Sequence, residues 1–274
     1  MSVSTKRQVV NIATKLEDIN TMYLNSAASN TISVMLLGGM GTGKTVALAT
    51  APKPLAIDVF DPGGMKSILP QIKEGGIYPT LYDVDEKDKP FAFSNWLNEF
   101  NSRVKEGFFD YIATYAIDSF TYWLSAALMY EKHEAEKAGI KRYRGLPALD
   151  DYRLTTMQLV QVIQKIMTLP CNFILTAHIT KDKDELTGKY ISTLVANPMS
   201  QKIIPAAFDE VYIMQVDMKL SPDRQYMFRT ETDGMYECRS RLATKQHLLD
   251  KLESADFKHI LKKVGLPFDD KIIE

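Results

Sequence analysis

Residues 38–45 read Gly38-Gly-Met-Gly-Thr-Gly-Lys-Thr45 and match the spacing G-x-x-x-x-G-K-[ST]. Residues 32–37 just before them form an apolar run of strand length, and residues 46–50 just after them read as the first turns of a helix. Glycines let a backbone turn tightly and aim its N–H groups at phosphate oxygens, and a helix N-terminus favours anions. The stretch therefore predicts a strand–loop–helix unit that holds phosphate groups.

The side chains of this loop predict a nucleoside triphosphate with Mg²⁺ as the ligand. Lys44 places a compact positive charge near the β- and γ-phosphates, and Thr45 offers a hydroxyl to Mg²⁺. A glycine-rich turn that binds nothing is the alternative, but a chain of this length matches the pattern by chance only about once in a hundred. The predicted nucleotide contacts are Gly38, Gly39, Met40, Gly41, Thr42, Gly43, Lys44, Thr45 and Val46.

Composition limits the class of protein. The chain has 274 residues, of which 45% are hydrophobic, and this suits one α/β domain with appendages. The formal net charge is −1, so a polyanion would be held by local patches rather than by a global basic field. Cys171 and Cys238 show no metal-ligand spacing, and no apolar run approaches transmembrane length. We expect a soluble cytoplasmic protein with no membrane partner.

Apolar patterning predicts an α/β fold with a mostly parallel sheet and helices on both faces. The predicted strands are 32–37, 54–58, 77–82, 111–117, 172–177 and 208–216. The predicted helices are 91–106, 119–138, 151–168 and 244–263. Residues 225–230 and 234–239 read as a hairpin that adds an antiparallel edge, whereas residues 179–201 read as polar and irregular.

The same patterning divides the chain into three segments. Residues 1–29 form a helical lead-in, residues 30–242 form the core, and residues 243–274 form a helical tail. The apolar residues of the lead-in, such as Leu16 and Ile19, either pack on the flank of the domain or join subunits.

Acidic residues follow two of the predicted strands. Asp118 ends the strand 111–117, where a carboxylate can lie beside the phosphate loop and orient Mg²⁺. The next residue is Ser119 rather than the Glu with which many ATPases activate water. We therefore expect the water-activating carboxylate from the second strand, with Asp61 as the first choice and Asp58 as the second.

Three further residues are candidates for contact with the phosphates. His178 follows the buried run 173–177 and could contact the γ-phosphate or its water, then relay nucleotide state to the next loop. Arg239 and Arg241 project the same way from an extended chain. Since Arg suits the clamping of phosphate charge, we expect this pair to contact nucleotide, across a subunit interface.

Two segments are candidates for contact with a polyanion. The first mixes cations with an aromatic ring, as single-stranded nucleic acid favours. Its residues are Lys141, Arg142, Tyr143 and Arg144. The second segment supplies Lys181, Lys183, Lys189 and Lys202. Taken alone, each segment reads more readily as a solvated loop than as a binding site, but both follow strands that carry site residues, namely Asp118 and His178.

This set of features resembles the RecA-like P-loop ATPase core, and it is most similar to the small phage-encoded ATPases of the Sak single-strand-annealing group. The motifs that carry the resemblance are Gly38-Gly-Met-Gly-Thr-Gly-Lys-Thr45, Ala116-Ile-Asp-Ser-Phe-Thr121, Leu175-Thr-Ala-His178 and Arg239-Ser-Arg241. Their order and spacing cover roughly residues 30 to 242.

The resemblance implies ATP as the nucleotide and Asp61 as the catalytic carboxylate, where family members more often carry Glu. It also implies that His178 couples γ-phosphate to a DNA loop at 180–202, that residues 139–150 form another DNA loop, and that the arginine pair reaches a neighbour's ATP. The expected partners are single-stranded DNA, further copies in a ring or filament, and a single-strand-binding protein, in the host cytoplasm. A helicase-like or loader motor and a P-loop kinase are the alternatives.

Overall fold

The structure is a computed structural model that describes residues 2–26, 30–82, 90–183, 188, 190–217, 225–244 and 249–272, with side chains from residue 12 onward. Its helices are α1 (Ser2–Leu24), α2 (Lys44–Leu48), α3 (Leu69–Glu74), α4 (Ala92–Lys105), α5 (Phe120–Lys137), α6 (Leu149–Ile166), α7 (Pro198–Ala207) and α8 (Phe257–Lys263). Its strands are β1 (Ser33–Gly38), β2 (Leu55–Val59), β3 (Ile77–Leu81), β4 (Thr114–Asp118), β5 (Asn172–Lys183), β6 (Tyr190–Leu194), β7 (Glu210–Asp217), β8 (Gln225–Arg229), β9 (Arg239–Ser240) and β10 (Leu252–Ser254).

The strands form one sheet in the order β10-β8-β7-β1-β5-β4-β2-β3. Neighbouring strands are parallel along the run β7-β1-β5-β4-β2-β3, whereas β8 pairs antiparallel with β7 and with β10. This confirms the predicted α/β fold with a mostly parallel sheet and an antiparallel edge. The carboxyl ends of β1, β5, β4 and β2 therefore meet along one edge of the sheet, where ligands of such sheets bind.

Alternation along β1 places one apolar layer on each face of the sheet. Met35 and Leu37 join a cluster with aromatic side chains of α4 and α5, whereas Val34 and Leu36 join a cluster with α2 and α8. Burying a side chain of this kind contributes roughly 1.5–3 kcal/mol. Since both faces of β1 are buried, the strand and the loop that follows it are held in a fixed position.

The segment predicted as irregular is largely regular, and this part of the prediction is wrong. β5 continues past the core to Lys183 and pairs antiparallel with β6, from Ile179 opposite Leu194 to Lys183 opposite Tyr190. The helix α7 follows at once. The outer part of the hairpin is exposed to solvent and carries polar side chains, so it lacks the apolar signal by which buried strands are recognised.

The predicted hairpin of residues 225–230 with 234–239 is also wrong. β8 pairs instead with β7 and β10, and Arg239 of β9 pairs with Val211 of β7. The predicted tail helix is wrong in part, because residues 252–254 form a strand and the helix spans only Phe257–Lys263; residues 245–248 lie outside the described residues. Phe257 and Ile260 are buried in the core cluster, so this tail packs onto the sheet.

The lead-in is helical as predicted, and its described large apolar side chains are exposed. Ile12, Leu16 and Ile19 are each about three-fifths exposed, at 59%, 61% and 63%. Packing on the flank is therefore not seen for these residues, and a role in joining subunits stays a prediction. Within the described part of the chain, no helix is both long and apolar enough to cross a membrane.

Candidate nucleotide-binding site

The phosphate loop connects β1 to α2 and depends on glycine at two positions. Gly43 has a φ of 90°, which side chains disfavour, and a Cβ there would lie 2.5 Å from the ring of Tyr226. A Cβ on Gly38 would lie 2.6 Å from Oγ1 of Thr42 and 2.9 Å from Cβ of Met214. The backbone can therefore make this turn, and approach its neighbours this closely, only without those side chains.

Lys44 folds back over the loop. Its Nζ donates to the carbonyl oxygens of Gly38 at 2.9 Å and Gly39 at 2.8 Å, and it lies 3.4 Å from Nδ1 of His178. Burial lowers the pKa of Lys44, and the carboxylates of Asp118 and Asp61 oppose that shift. These neighbours hold a cation at the place where phosphate charge is expected.

Thr45 and Asp118 meet as a candidate Mg²⁺ site. The Thr45 hydroxyl donates to Oδ2 of Asp118 at 2.8 Å, and the Thr176 hydroxyl donates to Oδ1. Burial raises the pKa of Asp118, and the two hydroxyl donors oppose this shift. A hydroxyl and a carboxylate are hard oxygen donors of the kind that bind Mg²⁺ beside phosphates, so these residues fit the ion.

Asp61 lies beside Thr45 and Asp118, and a backbone hydrogen bond holds it there. The amide N–H of Asp61 donates to the Asp118 carbonyl at 3.1 Å, and Oδ2 of Asp61 lies 3.4 Å from Nε2 of His178. Burial lowers the pKa of His178, and Lys44 lowers it further. A neutral ring with its proton on Nε2 can donate to Asp61 and accept from Lys44 on Nδ1. His178 therefore bridges the cation and the carboxylate.

The structure excludes the second-choice carboxylate, Asp58, from this site. Asp58 is 1% exposed and accepts from Nε1 of Trp96 at 2.8 Å, the Tyr115 hydroxyl at 2.6 Å and Nη1 of Arg103 at 2.9 Å. Its side chain lies on the face of β2 that carries Ala56 and Phe60, under α4. Because these donors hold the Asp58 carboxylate in the core, it cannot reach a water molecule at the phosphate loop.

A cavity of about 400 Å³ opens at the loop, and its lining includes residues that the sequence analysis missed. Lys44, Thr45, Asp61, Asp118 and His178 all line it. The missed lining residues are Ser67, Tyr122 and Tyr226. Since β8 and the acidic strands lie on opposite sides of β1, Tyr226 lines the cavity on the side away from the carboxylates. The sequence shows no motif around Tyr226; only the pairing of β8 with β7 places it here.

Arg239 and Arg241 lie away from the loop of their own chain. Both guanidinium groups donate to the Ala206 carbonyl, at 2.9 Å and 3.3 Å, and Arg241 also pairs with Asp209 at 3.1 Å. β9 pairs with the first residues of β7, whereas the phosphate loop follows the last residue of β1, roughly 10–20 Å further along the sheet. The two arginines point the same way, as predicted. The nucleotide that they could contact would be one bound to a second copy of the chain.

The first candidate DNA segment is only partly available for binding. Arg142 is tied to the buried carboxylate of Asp151 at 2.5 Å, so its prediction as a DNA contact does not fit an ion pair in the protein interior. Lys141 and Arg144 are exposed, and the Arg144 guanidinium lies 5.2 Å from the ring centre of Tyr143, which is itself 76% exposed. Three of the four residues therefore face solvent together.

The second segment is the β5–β6 hairpin, which starts at the nucleotide site. The carbonyl of His178 accepts from the N–H of Val195 at 2.9 Å, so both strands are joined beside His178. Lys181 and Lys183 are exposed on the same face, and Lys183 pairs with exposed Tyr190. The other two predicted contacts are Lys202 and Lys189. Lys202 is exposed on α7, and Lys189 is outside the described residues.

A family model described as AAA domain matches residues 30–242. The fold is similar to "a prototypical ATPase from the type III secretion system of pathogenic bacteria", at 12% identity and a TM-score of 0.40 over 70% of this chain and 56% of that chain. It is also similar to "a unique ATP synthase subunit NeqB from Nanoarcheaum equitans", at 11% identity and a TM-score of 0.41 over 68% of this chain and 46% of that chain. The chain thus spans about half the length of these two structures. No curated protein matches it.

Proposed function

This chain belongs to the AAA domain family, and from that membership and its site we propose an ATPase that binds single-stranded DNA and promotes annealing or strand exchange in phage recombination. The observation that carries the proposal is the convergence of Lys44, Thr45, Asp61, Asp118 and His178 on one cavity at the phosphate loop. The feature that supports DNA binding is the β5–β6 hairpin, which begins at His178 and has an exposed outer part.

Each residue of the site has a separate part in hydrolysis. The loop N–H groups and Lys44 stabilise charge on the β- and γ-phosphates. Thr45 and Asp118 hold Mg²⁺, which supplies charge neutralisation when bound. Asp61 orients the attacking water, and the neutral ring of His178 fixes the carboxylate by donating to it. Arg241 of a neighbouring copy completes the charge stabilisation around the γ-phosphate.

Steady-state ATP hydrolysis with and without a single-stranded DNA oligonucleotide, at low and moderate salt, tests the function. We expect strong stimulation that weakens as salt rises, since phosphate contacts release counterions. Slow turnover with no response to DNA would instead favour a phosphotransferase or a switch that requires another protein.

The hairpin is expected to carry the response to DNA. The double variant Lys181→Ala/Lys183→Ala should lose most of the stimulation and keep the basal rate, because it removes two charges from the face that carries Tyr190. Lys73→Ala/Lys105→Ala is the matched control, since it removes two exposed lysines elsewhere. An equal loss in both variants would show that only overall charge matters, and full stimulation of the hairpin variant would remove the hairpin from the proposal.

Assembly of the site across subunits predicts rescue in mixtures. Arg241→Ala alone is expected to lose at least roughly a hundredfold in ATP hydrolysis, as for other arginines that stabilise transferred phosphate. Mixed with Lys44→Ala, it should regain part of the activity, because some interfaces then combine an intact loop with an intact arginine. The measurement is the hydrolysis rate against the mixing ratio, and a rate that never exceeds the sum of the two variants would contradict the arrangement.

Annealing and motor activity are separated by their products. We expect the protein to speed the pairing of complementary oligonucleotides, measured by fluorescence quenching, and to leave a tailed duplex intact. Displacement of a strand from that duplex with ATP would favour the motor alternative.

A further inference from the structure

A second cavity lies apart from the phosphate loop, between β6, α7 and residues 237–239. Its volume is about 530 Å³, within the range of sites that take organic ligands. Its lining includes the buried apolar side chains of Leu37, Leu194 and Val211. An apolar group of the size of a large side chain would therefore be well accommodated.

One polar atom in the lining lacks a partner. Ser192 is 7% exposed, and its Oγ has no hydrogen-bond partner within the part of the chain that the structure describes. The backbone N–H of Ser192 is bonded to the Met235 carbonyl at 2.8 Å, which fixes the residue in place. Buried hydroxyl groups are normally paired, so Ser192 is a polar residue of the cavity wall whose hydroxyl is unpaired within the described residues.

Cations flank the same cavity. Arg239 lines it, with its guanidinium held by a bond to the Ala206 carbonyl at 2.9 Å, and the exposed Lys202 lines it from α7. The exposed Glu237 is the one acidic side chain in the lining as described. Two cations against one carboxylate favour an anionic group on the ligand, and Arg binds carboxylates with two parallel hydrogen bonds.

We propose that this cavity binds the C-terminal end of a partner polypeptide whose last residue is large and apolar. The apolar side chain lies against Leu37, Leu194 and Val211, and the terminal carboxylate pairs with Arg239 and Lys202. In a chain terminus these two groups branch from the same carbon atom, which matches apolar lining residues that lie next to cations. The cavity is open on one side, so the rest of the peptide can leave into solvent.

The proposal does not depend on ATP turnover and is tested by direct binding. The probe is the peptide Gly-Ser-Gly-Ser-Phe with fluorescein on its N-terminus, titrated with the full chain and followed by anisotropy. We expect the free acid to bind at least roughly tenfold more tightly than the same peptide with a C-terminal amide, since a charge-assisted pair is lost in the amide. The peptide that ends in Gly should also bind roughly tenfold more weakly. Equal affinities of the three peptides would overturn the proposal.

Variants localise the binding. Ala206→Trp fills the cavity from an exposed position, and Arg239→Gln removes the charge and keeps a polar side chain. Each variant should bind the free-acid peptide roughly tenfold or more weakly than the unaltered protein does. Lys73→Gln, an exposed charge elsewhere, should leave the affinity unchanged. Unchanged binding in both cavity variants would place the peptide elsewhere and contradict the assignment.

Cys238 provides a second readout in the unaltered protein. It lines the cavity and is half-buried, and burial raises the pKa of its thiol to about 12, so alkylation by iodoacetamide is slow and can be followed over hours. The free-acid peptide should slow this alkylation, and the amide should not. The competitor 3-phenylpropionate carries the same two groups on a small molecule. Protection by this acid at the same concentrations as the peptide would identify a small-molecule site and overturn the assignment to a chain terminus.

Discussion

Lys44→Ala is expected to abolish ATP hydrolysis, with a fall of at least roughly a hundredfold to a thousandfold in kcat. Lys44 is 7% exposed and points its ammonium group across the loop toward His178. No other described lysine or arginine lines that cavity, so no other cation of the described chain can take its place. The measurement is steady-state phosphate release with Mg²⁺ and saturating ATP.

The control for this variant is Lys73→Ala, which removes an exposed lysine away from the loop and should hydrolyse ATP normally. Thermal unfolding separates loss of chemistry from loss of fold. Since the described partners of the Lys44 ammonium group are the carbonyls of Gly38 and Gly39 and the ring of His178, all at the loop, we expect a small change in melting temperature. Near-normal hydrolysis by Lys44→Ala would contradict the assignment of this loop as the phosphate-binding site.

The sequence predicted the parts of the fold that carry a local signal. β1, β2, β3, α4 and α5 lie close to their predicted bounds, because buried runs and helical spacing are visible in a short window. The pairing of β8 with β7 and β10 is a long-range choice that no short window contains. The turn at Asp233-Gly234 is typical of a hairpin, yet burial of Phe228 against Tyr212 and Phe257 places β8 elsewhere.

The site shows the same division between local and long-range information. Asp118 and His178 were identified because polar residues that end buried strands meet at one edge of a parallel sheet. Thr176 could not be identified in this way, since a Thr inside a buried strand looks structural until β5 is placed beside β4. Tyr226 comes from the antiparallel edge, whose pairing was predicted wrongly, so its place beside Gly43 was also missed.

The choice between two acidic residues of the second strand depends on which face each occupies. Asp58 alternates with Ile57 and Val59, which belong to one core cluster, and so it faces the other cluster with Ala56. Strand alternation thus groups Asp58 with Ala56 and Phe60, and the packing of α4 over that face encloses it. Asp61 lies beyond the end of β2, where the backbone bond to Asp118 places it at the cavity.

Asp61→Asn and Asp58→Asn are expected to fail in different ways. Asp61→Asn should lower kcat by roughly a hundredfold or more, because an amide cannot take a proton from water. Nucleotide affinity and melting temperature should change little, since Asp61 is partly exposed and is not part of the core. ATP binding by calorimetry and hydrolysis by phosphate release make the comparison.

Asp58→Asn acts instead on stability, because it removes the buried one of the two carboxylates, Asp58 and Glu99, that pair with the partly buried guanidinium of Arg103. Breaking a buried ion pair on one side costs about 3–5 kcal/mol, which for a domain of this size lowers the melting temperature by roughly 10 °C. Below that temperature the folded variant should hydrolyse ATP at a near-normal rate, since Asp58 does not line the nucleotide cavity. The reverse result, a stable Asp58→Asn without turnover beside an active Asp61→Asn, would transfer the role of orienting water to the buried residue and contradict the geometry of the site.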